Sequence, residues 1–332
     1  MHKIIKKAAL LLTALTYVFW FSAPVAFAQQ NSTSKNGQAL EIAPPVLYLT
    51  ADPGQQVKAQ ILIRDISSGN LIVKGTVNDF VAGGVDGTPK ILLEKSETTT
   101  AYSIVDWVAP LPSLLLIPKE IKAMTATINV PKDASPGGHY GVIRFTSTPP
   151  TPDGSGVSLA ASIGVLVLLT VNGEIKQGLT VDKFTVGKGD KTGSIFESAP
   201  LVFTQKFKNT GNVHVQPTGQ VIISDMFGKK FAAVNVNVPP GNVLPDSTRQ
   251  FKQNLDKSVI GGKRMFGKYS AKLSMTYGDK KKVEQTISFW VIPFKLVLTV
   301  ILVLVGLFFL LRFLIKRYNR RILNQGQKNR RP

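Results

Sequence analysis

Hydrophobic positions in this chain recur mainly at every second residue. In residues 56–64, Val57, Ala59, Ile61 and Ile63 fall on one face. Gln56, Lys58, Gln60 and Arg64 fall on the other, with Leu62 as the exception. In residues 268–277, Tyr269, Ala271, Leu273, Met275 and Tyr277 alternate with Lys268, Ser270, Lys272, Ser274 and Thr276. This is the two-residue period of strands with one face in a core and one in water. Residues 157–171 (VSLAASIGVLVLLTV) are apolar almost without interruption. They are too short to span a membrane and rich in β-branched residues, which predicts a buried strand. Turn chemistry recurs at Asp52-Pro53-Gly54, Ser68-Gly69-Asn70, Asp86-Gly87, Asp153-Gly154 and Gly228. Helical periodicity is nearly absent from residues 40–290, so the pattern predicts an all-β fold.

A weak internal repeat divides that fold. Gly69-Asn70-Leu71-Ile72-Val73 is echoed by Gly211-Asn212-Val213-His214-Val215, and Gly138-His139-Tyr140 by Gly267-Lys268-Tyr269, in the same order. Each tyrosine opens a predicted strand, where its ring can be buried and its hydroxyl can bond backbone. The expectation is two tandem immunoglobulin-like β-sandwiches, residues 38–173 and 174–290, meeting near Asn172-Gly173.

The two ends of the chain break the pattern. Residues 296–311 (LVLTVILVLVGLFFLL) carry no charge. With their apolar flanks they predict a transmembrane helix over residues 291–315, long enough at ~1.5 Å per residue to cross a ~30 Å hydrocarbon core. Trp290 is placed as an interfacial anchor, and Lys295, Arg312, Lys316 and Arg317 flank the span. Residues 1–28 read as a signal peptide, with Lys3, Lys6 and Lys7 before an apolar core and Ala26 and Ala28 framing the cleavage site. Residues 29–37 follow as a polar leader.

Topology absorbs most of the charge. Of the formal net charge of +20, the signal carries three basic residues, Lys295 one, and the segment from Arg312 onward eight. Residues 29–294 keep only +8. The basic tail, residues 316–332, is expected in the cytoplasm by the positive-inside rule, with the sandwiches outside. Nucleic acid is therefore not an expected partner. The chain has no cysteine, which for an exported protein of this size points to a bacterial surface and a fold held by its core alone.

Catalytic chemistry is hard to assemble from this sequence. The two histidines beyond the signal, His139 and His214, lie apart in strand or turn contexts and are expected to be structural. No phosphate-binding loop, nucleophile elbow or cysteine–histidine cluster occurs, so no catalytic, cofactor-binding or metal-ligating residue is expected. Asp79, Asp86, Glu94, Glu97 and Asp106 are carboxylates that could pair in space as a wall-modifying enzyme requires. Residues 107–118 (WVAPLPSLLLIP) combine proline with apolar side chains. Exposed, Trp107, Leu111 and Leu114 would mark a partner-binding loop; folded inward, they fill the core.

Several short motifs resemble a known family. Residues 40–45 (LEIAPP), Pro53-Gly54-Gln55, and Pro131 followed by residues 138–143 (GHYGVI) resemble the N-terminal domain of bacterial WxL-locus surface proteins, described as peptidoglycan-binding. Residues 209–219 (NTGNVHVQPTG), Val243-Leu244-Pro245 and residues 289–293 (FWVIP) are similar to the second Ig-like module of such proteins. The resemblance covers residues 40–315 and implies a cell-wall-associated binding or scaffolding role. The leading expectation is a non-enzymatic, membrane-anchored surface protein that binds cell-wall polymer or a partner surface protein. The alternatives are a periplasmic-chaperone-like assembly factor that donates a sheet edge and a wall-modifying enzyme.

Overall fold

The computed structural model describes residues 40–93, 101–149, 161–189 and 191–328. The cleavage site at Ala26 and Ala28, the leader, the Asp153-Gly154 turn, Glu94 and Glu97 lie outside the described residues.

The first sandwich is built from β1 (Leu40–Ala43), β2 (Val46–Ala51), β3 (Gln56–Asp65), β4 (Leu71–Ala82), β5 (Pro89–Leu92), β6 (Leu114–Leu116), β7 (Ile121–Asn129), β8 (Gly137–Thr148) and β9 (Ala161–Val171). One sheet has the order β1-β3-β7; the other runs β2-β9-β8-β4-β5, with β6 also on β4. Pro44 and Pro45 explain how the first two strands divide. Neither can donate to a ladder, so the chain leaves one sheet there and joins the other. β1 pairs antiparallel with β3, and β2 pairs parallel with β9. Ile61, Ile63, Val73, Phe145, Val165, Val167 and Leu169 are fully buried between the sheets. Leu62 faces outward, 46% exposed, as its place in the alternation predicts. β9 is apolar on its second face too, because Leu168 there is buried in a separate small cluster with Phe80, Tyr140 and Val142.

The second sandwich comprises β10 (Leu179–Lys188), β11 (Lys191–Thr192), β12 (Ile195–Phe196), β13 (Leu201–Asn209), β14 (Thr218–Ser224), β15 (Lys230–Val236), β16 (Thr248–Leu255), β17 (Gly267–Tyr277) and β18 (Lys281–Val291). Its sheets have the orders β11-β10-β13-β16 and β12-β18-β17-β14-β15. Aromatic rings dominate the core. Phe203 meets Phe184 at 6.2 Å and Phe289 at 5.9 Å, and Tyr269 stacks on Phe289 at 5.8 Å. Such pairs contribute ~0.5–1.5 kcal/mol each beyond their burial.

The repeated motifs occupy matching places. Gly69-Asn70 leads into β4, which pairs β8, and Gly211-Asn212 precedes β14, which pairs β17. Tyr140 and Tyr269 stand near the starts of β8 and β17. Their hydroxyls act differently. Tyr269 Oη accepts the Phe266 N–H at 3.2 Å, a bond within its own corner. Tyr140 Oη accepts the His214 N–H at 2.9 Å, a bond into the other sandwich.

Helix α1 (Phe294–Lys328) follows at once. Its segment Phe294–Arg317 is long and apolar enough to cross a membrane, and none of it is buried against protein. The boundaries differ from the sequence expectation at both ends. Val291 belongs to β18, held by its pairing with Gly267 and Phe196. Pro293 ends the strand, and its carbonyl accepts the Val297 N–H at 3.0 Å to open the helix. Beyond Arg317 the helix continues into the expected tail. Trp290 is a strand residue, 44% exposed, beside the first helical turn.

Candidate functional site

The two sandwiches meet at a junction organised by one asparagine. Asn212 Nδ2 donates to the carbonyls of Pro136, at 3.1 Å, and Glu174, at 2.9 Å. Its Oδ1 accepts the Lys176 N–H at 2.7 Å. Its backbone N–H donates to the Lys176 carbonyl, and its own carbonyl accepts the Gly138 N–H at 2.7 Å. One residue thus satisfies the start of β8, the link between the sandwiches and its own turn. Gly137 permits the approach: it has φ +129°, and a Cβ there would come within 2.5 Å of the Asn212 carbonyl oxygen. Asn209, fully buried, braces the turn within the second sandwich, with Nδ2 bonded to the carbonyls of Val213 and Val243.

Beside this clamp lies an aromatic contact. The rings of Tyr140 and Tyr48 flank His214, with centroids at 5.8 Å and 6.0 Å. The Tyr140 hydroxyl, besides accepting the His214 N–H, lies 3.4 Å from His214 Nδ1. Burial drives the His214 pKa down to about 4 and lifts that of Tyr140 above the ordinary tyrosine range. Both groups are neutral here near pH 7. Tyr48 Oη accepts from Asn242 Nδ2 at 2.8 Å, and Tyr102 Oη donates to Asp246 Oδ2 at 2.8 Å.

The outer face of the β2-β9-β8-β4 sheet and the 240–249 segment enclose a cleft of about 230 Å³. Val46, Tyr48, Phe80, Leu166 and Leu168 form its apolar side; Asn242, Leu244 and Arg249 close it. A second hollow of about 510 Å³ adjoins it, bounded by Tyr102, Tyr140 and Asp246. Arg249 reaches from the second sandwich to the β4–β5 turn. Its guanidinium lies against Gly87 and Gly241, where a side chain at either position would collide with it. Arg249 Nη1 donates to the Asn242 carbonyl at 2.7 Å, while its buried Nε has no protein acceptor. Asn242 Oδ1 is likewise buried without a donor. Burial lowers the Arg249 pKa and the nearby Asp86 carboxylate opposes that shift. The apolar wall suits a segment carrying apolar side chains, while Arg249 Nε and Asn242 Oδ1 are shut off from solvent.

The residues singled out from sequence fall into distinct settings. Trp107, Leu111 and Leu114 pack, partly buried, against the first core, so they do not form an exposed loop. Leu111 lies over Gly75. The exposed apolar residues of that segment are Leu115 and Ile117. His139 is structural: Nε2 bonds the Ser135 carbonyl at 2.8 Å, and Trp107 covers its ring at 4.5 Å. Asp86 orders the β4–β5 turn through Thr88. The Asp79 pKa is raised by burial and by the charge of Asp106, against a bond from Ser103. Lys295 reaches Glu197 at 3.9 Å, both solvated. Among the described residues, no group of three potential metal ligands converges. Arg249, Tyr48 and Asn242 were not singled out from sequence, since nothing local distinguishes them from surface residues.

No protein-family model matches the chain, and no curated protein sequence matches it. Solved structures of similar fold include the YadV chaperone, at 11% identity over 75% of this chain and 99% of that one, TM-score 0.37. They also include the class 5 fimbriae chaperone CfaA, at 10% identity over 77% and 100%, TM-score 0.35. A third is the E. coli chaperone DraB, at 11% identity over 76% and 97%, TM-score 0.34. At such identities this is a likeness of fold class alone: tandem Ig-like sandwiches.

Asn212→Ala removes the bonds to Pro136, Glu174 and Lys176 together. It should cost about 2 kcal/mol or more and raise tryptic cleavage after the exposed Lys176 several-fold, read by limited proteolysis of the full chain. Acid should loosen the same junction. His214 has a folded pKa of about 4 against 6.5 when exposed, so the unfolded state binds more protons in that window. Stability is then full above pH 6.5 and falls as pH drops toward 4, by at most ~3 kcal/mol from this group. Chemical denaturation of wild type and His214→Gln across that range should show a shallower slope in the variant.

Proposed function

We propose that this protein is a membrane-anchored, non-enzymatic surface module that binds an extended segment of a partner surface protein in the cleft between its sandwiches. The observation that carries this reading is the cleft itself: an apolar wall of Val46, Tyr48, Phe80, Leu166 and Leu168, bordered by the edge strand β2. β2 borders it through Val46 and Tyr48, so an incoming chain can align with sheet backbone as well as fill the apolar floor. An assembly factor of chaperone type would use the same features. The apolar helix supports single-pass anchoring, and the basic residues beyond it support an extracytoplasmic placement of the sandwiches. The motifs shared with WxL-locus proteins are compatible with such a role at the cell surface.

The test is photo-crosslinking in the native host from benzoylphenylalanine placed at Tyr48, with Lys58 as the control position. A discrete protein adduct from position 48 alone is expected. No adduct, or the same adduct from both positions, would count against the cleft as the binding site.

A separate surface favours the wall-polymer reading. Lys183 and Lys206 face each other directly across β10 and β13, and Lys252 stands on β16 beside them. None forms an ion pair with a described residue, and like charges held opposite one another are destabilising unless an anion lies between them. If that face holds anionic wall polymer, Lys183→Gln, Lys206→Gln and Lys252→Gln combined should abolish salt-sensitive co-sedimentation with purified cell walls. Unchanged sedimentation would remove this reading.

A further inference from the structure

We infer that the helix-proximal end of the second sandwich inserts apolar loop tips into the interface of an anionic bilayer, so that the module is seated on the membrane as well as tethered to it. The inference rests on α1 spanning that bilayer. Strand register puts the relevant loops at one end. Gly267 pairs Val291 and Lys268 pairs Trp290, three to four residues before the helix begins at Phe294. Ser224 pairs Ser270, so the β14–β15 turn lies at the same end as the entry to β17. Ile195 pairs Trp290 from the other side.

This end is unusually apolar for a set of loops. Phe227 is 87% exposed, Phe266 64%, Ile195 56% and Met226 51%. The turn needs none of that. Asp225 Oδ1 accepts the N–H groups of Phe227 and Lys229, and Gly228 supplies the positive φ. Small polar residues would complete such a turn at no solvation cost. At the opposite end, the β17–β18 turn is Gly278-Asp279-Lys280, fully polar. The β15–β16 loop at that end exposes one large apolar side chain, Val238, against Phe227, Phe266, Ile195 and Met226 in the loops at the helix end.

Charge selects the occupant. Lys229, Lys230, Lys257, Lys263, Arg264 and Lys268 surround the apolar tips, exposed and without ion pairs to described residues. The acids among them are engaged locally: Asp225 in its own turn, and Asp256 by Ser258 and Val259. Aromatic and aliphatic tips inside a basic ring match the boundary between acyl chains and anionic headgroups. The bilayer holding α1 is the surface this end must meet first.

The chain has no cysteine, so single labels can be placed without background. Full-length protein carrying a nitroxide at Met226→Cys, Lys58→Cys or Val305→Cys would be reconstituted in nanodiscs of phosphatidylcholine with phosphatidylglycerol. Accessibility to oxygen and to a water-soluble nickel chelate would be compared. The label at 226 is expected to favour oxygen several-fold over the label at 58, and to lose that preference when Phe227→Glu and Phe266→Glu are added. A label at 226 as water-exposed as that at 58, with 305 in lipid, overturns the inference and leaves the span intact. A water-exposed label at 305 overturns both.

Discussion

The arrangement of this molecule depends on satisfying the backbone where one sandwich becomes the next. The link is largely exposed, yet one side chain ties its polar groups to the approach of β8, and a typical net hydrogen bond contributes ~0.5–1.5 kcal/mol. Asn212 meets that demand with both ends of its amide. Because its partners lie in β8's approach, in the link and across its own turn, its bonds form together only at one relative orientation of the sandwiches. The junction is thereby held by hydrogen bonds as well as by the covalent link.

This junction sets two apolar faces against each other. The same faces that would be solvated in isolated sandwiches become a small shared core, with Phe80, Tyr140, Val142 and Leu168 covered by Leu244. Tyr140 ties the aromatic layer to the clamp by accepting a backbone N–H from the partner sandwich. Arg249 Nε and Asn242 Oδ1, at the margin of the remaining gap, are two of the buried side-chain atoms without a partner; others lie elsewhere in both sandwiches, at Asp65, Asn78 and Gln205.

The second consequence runs toward the membrane. β18 delivers the chain into α1 with only Ile292 and Pro293 between them, so the sandwich has no stalk to lift it away. The loops nearest the helix carry exposed apolar side chains and lysines without ion pairs to described residues.

The alternation in residues 56–64 and 268–277 was enough to determine two wet-faced strands, because a period of two has only one regular solution. The apolar run from Leu296 likewise determined a helix long and apolar enough to cross a membrane, because an uncharged stretch of that length offers no polar face to water. The paired Gly-Asn and Gly-x-Tyr motifs marked matching positions in two sandwiches. Tertiary structure alone decided what those motifs do. Tyr269 closes its own corner while Tyr140 reaches across, because only at Tyr140 does a second sandwich lie within hydrogen-bonding distance. Leu111 turned inward over Gly75, which leaves it room, and Trp107 and Leu114 pack on the same core. The helix began at Phe294 because pairing with Gly267 and Phe196 keeps Val291 in the sheet. Arg249 became a cleft residue through contacts with Gly87, 162 positions away in sequence. Local pattern encodes which face of an element is apolar; what that face or a long side chain meets is set by partners distant in the chain, and no local period records them.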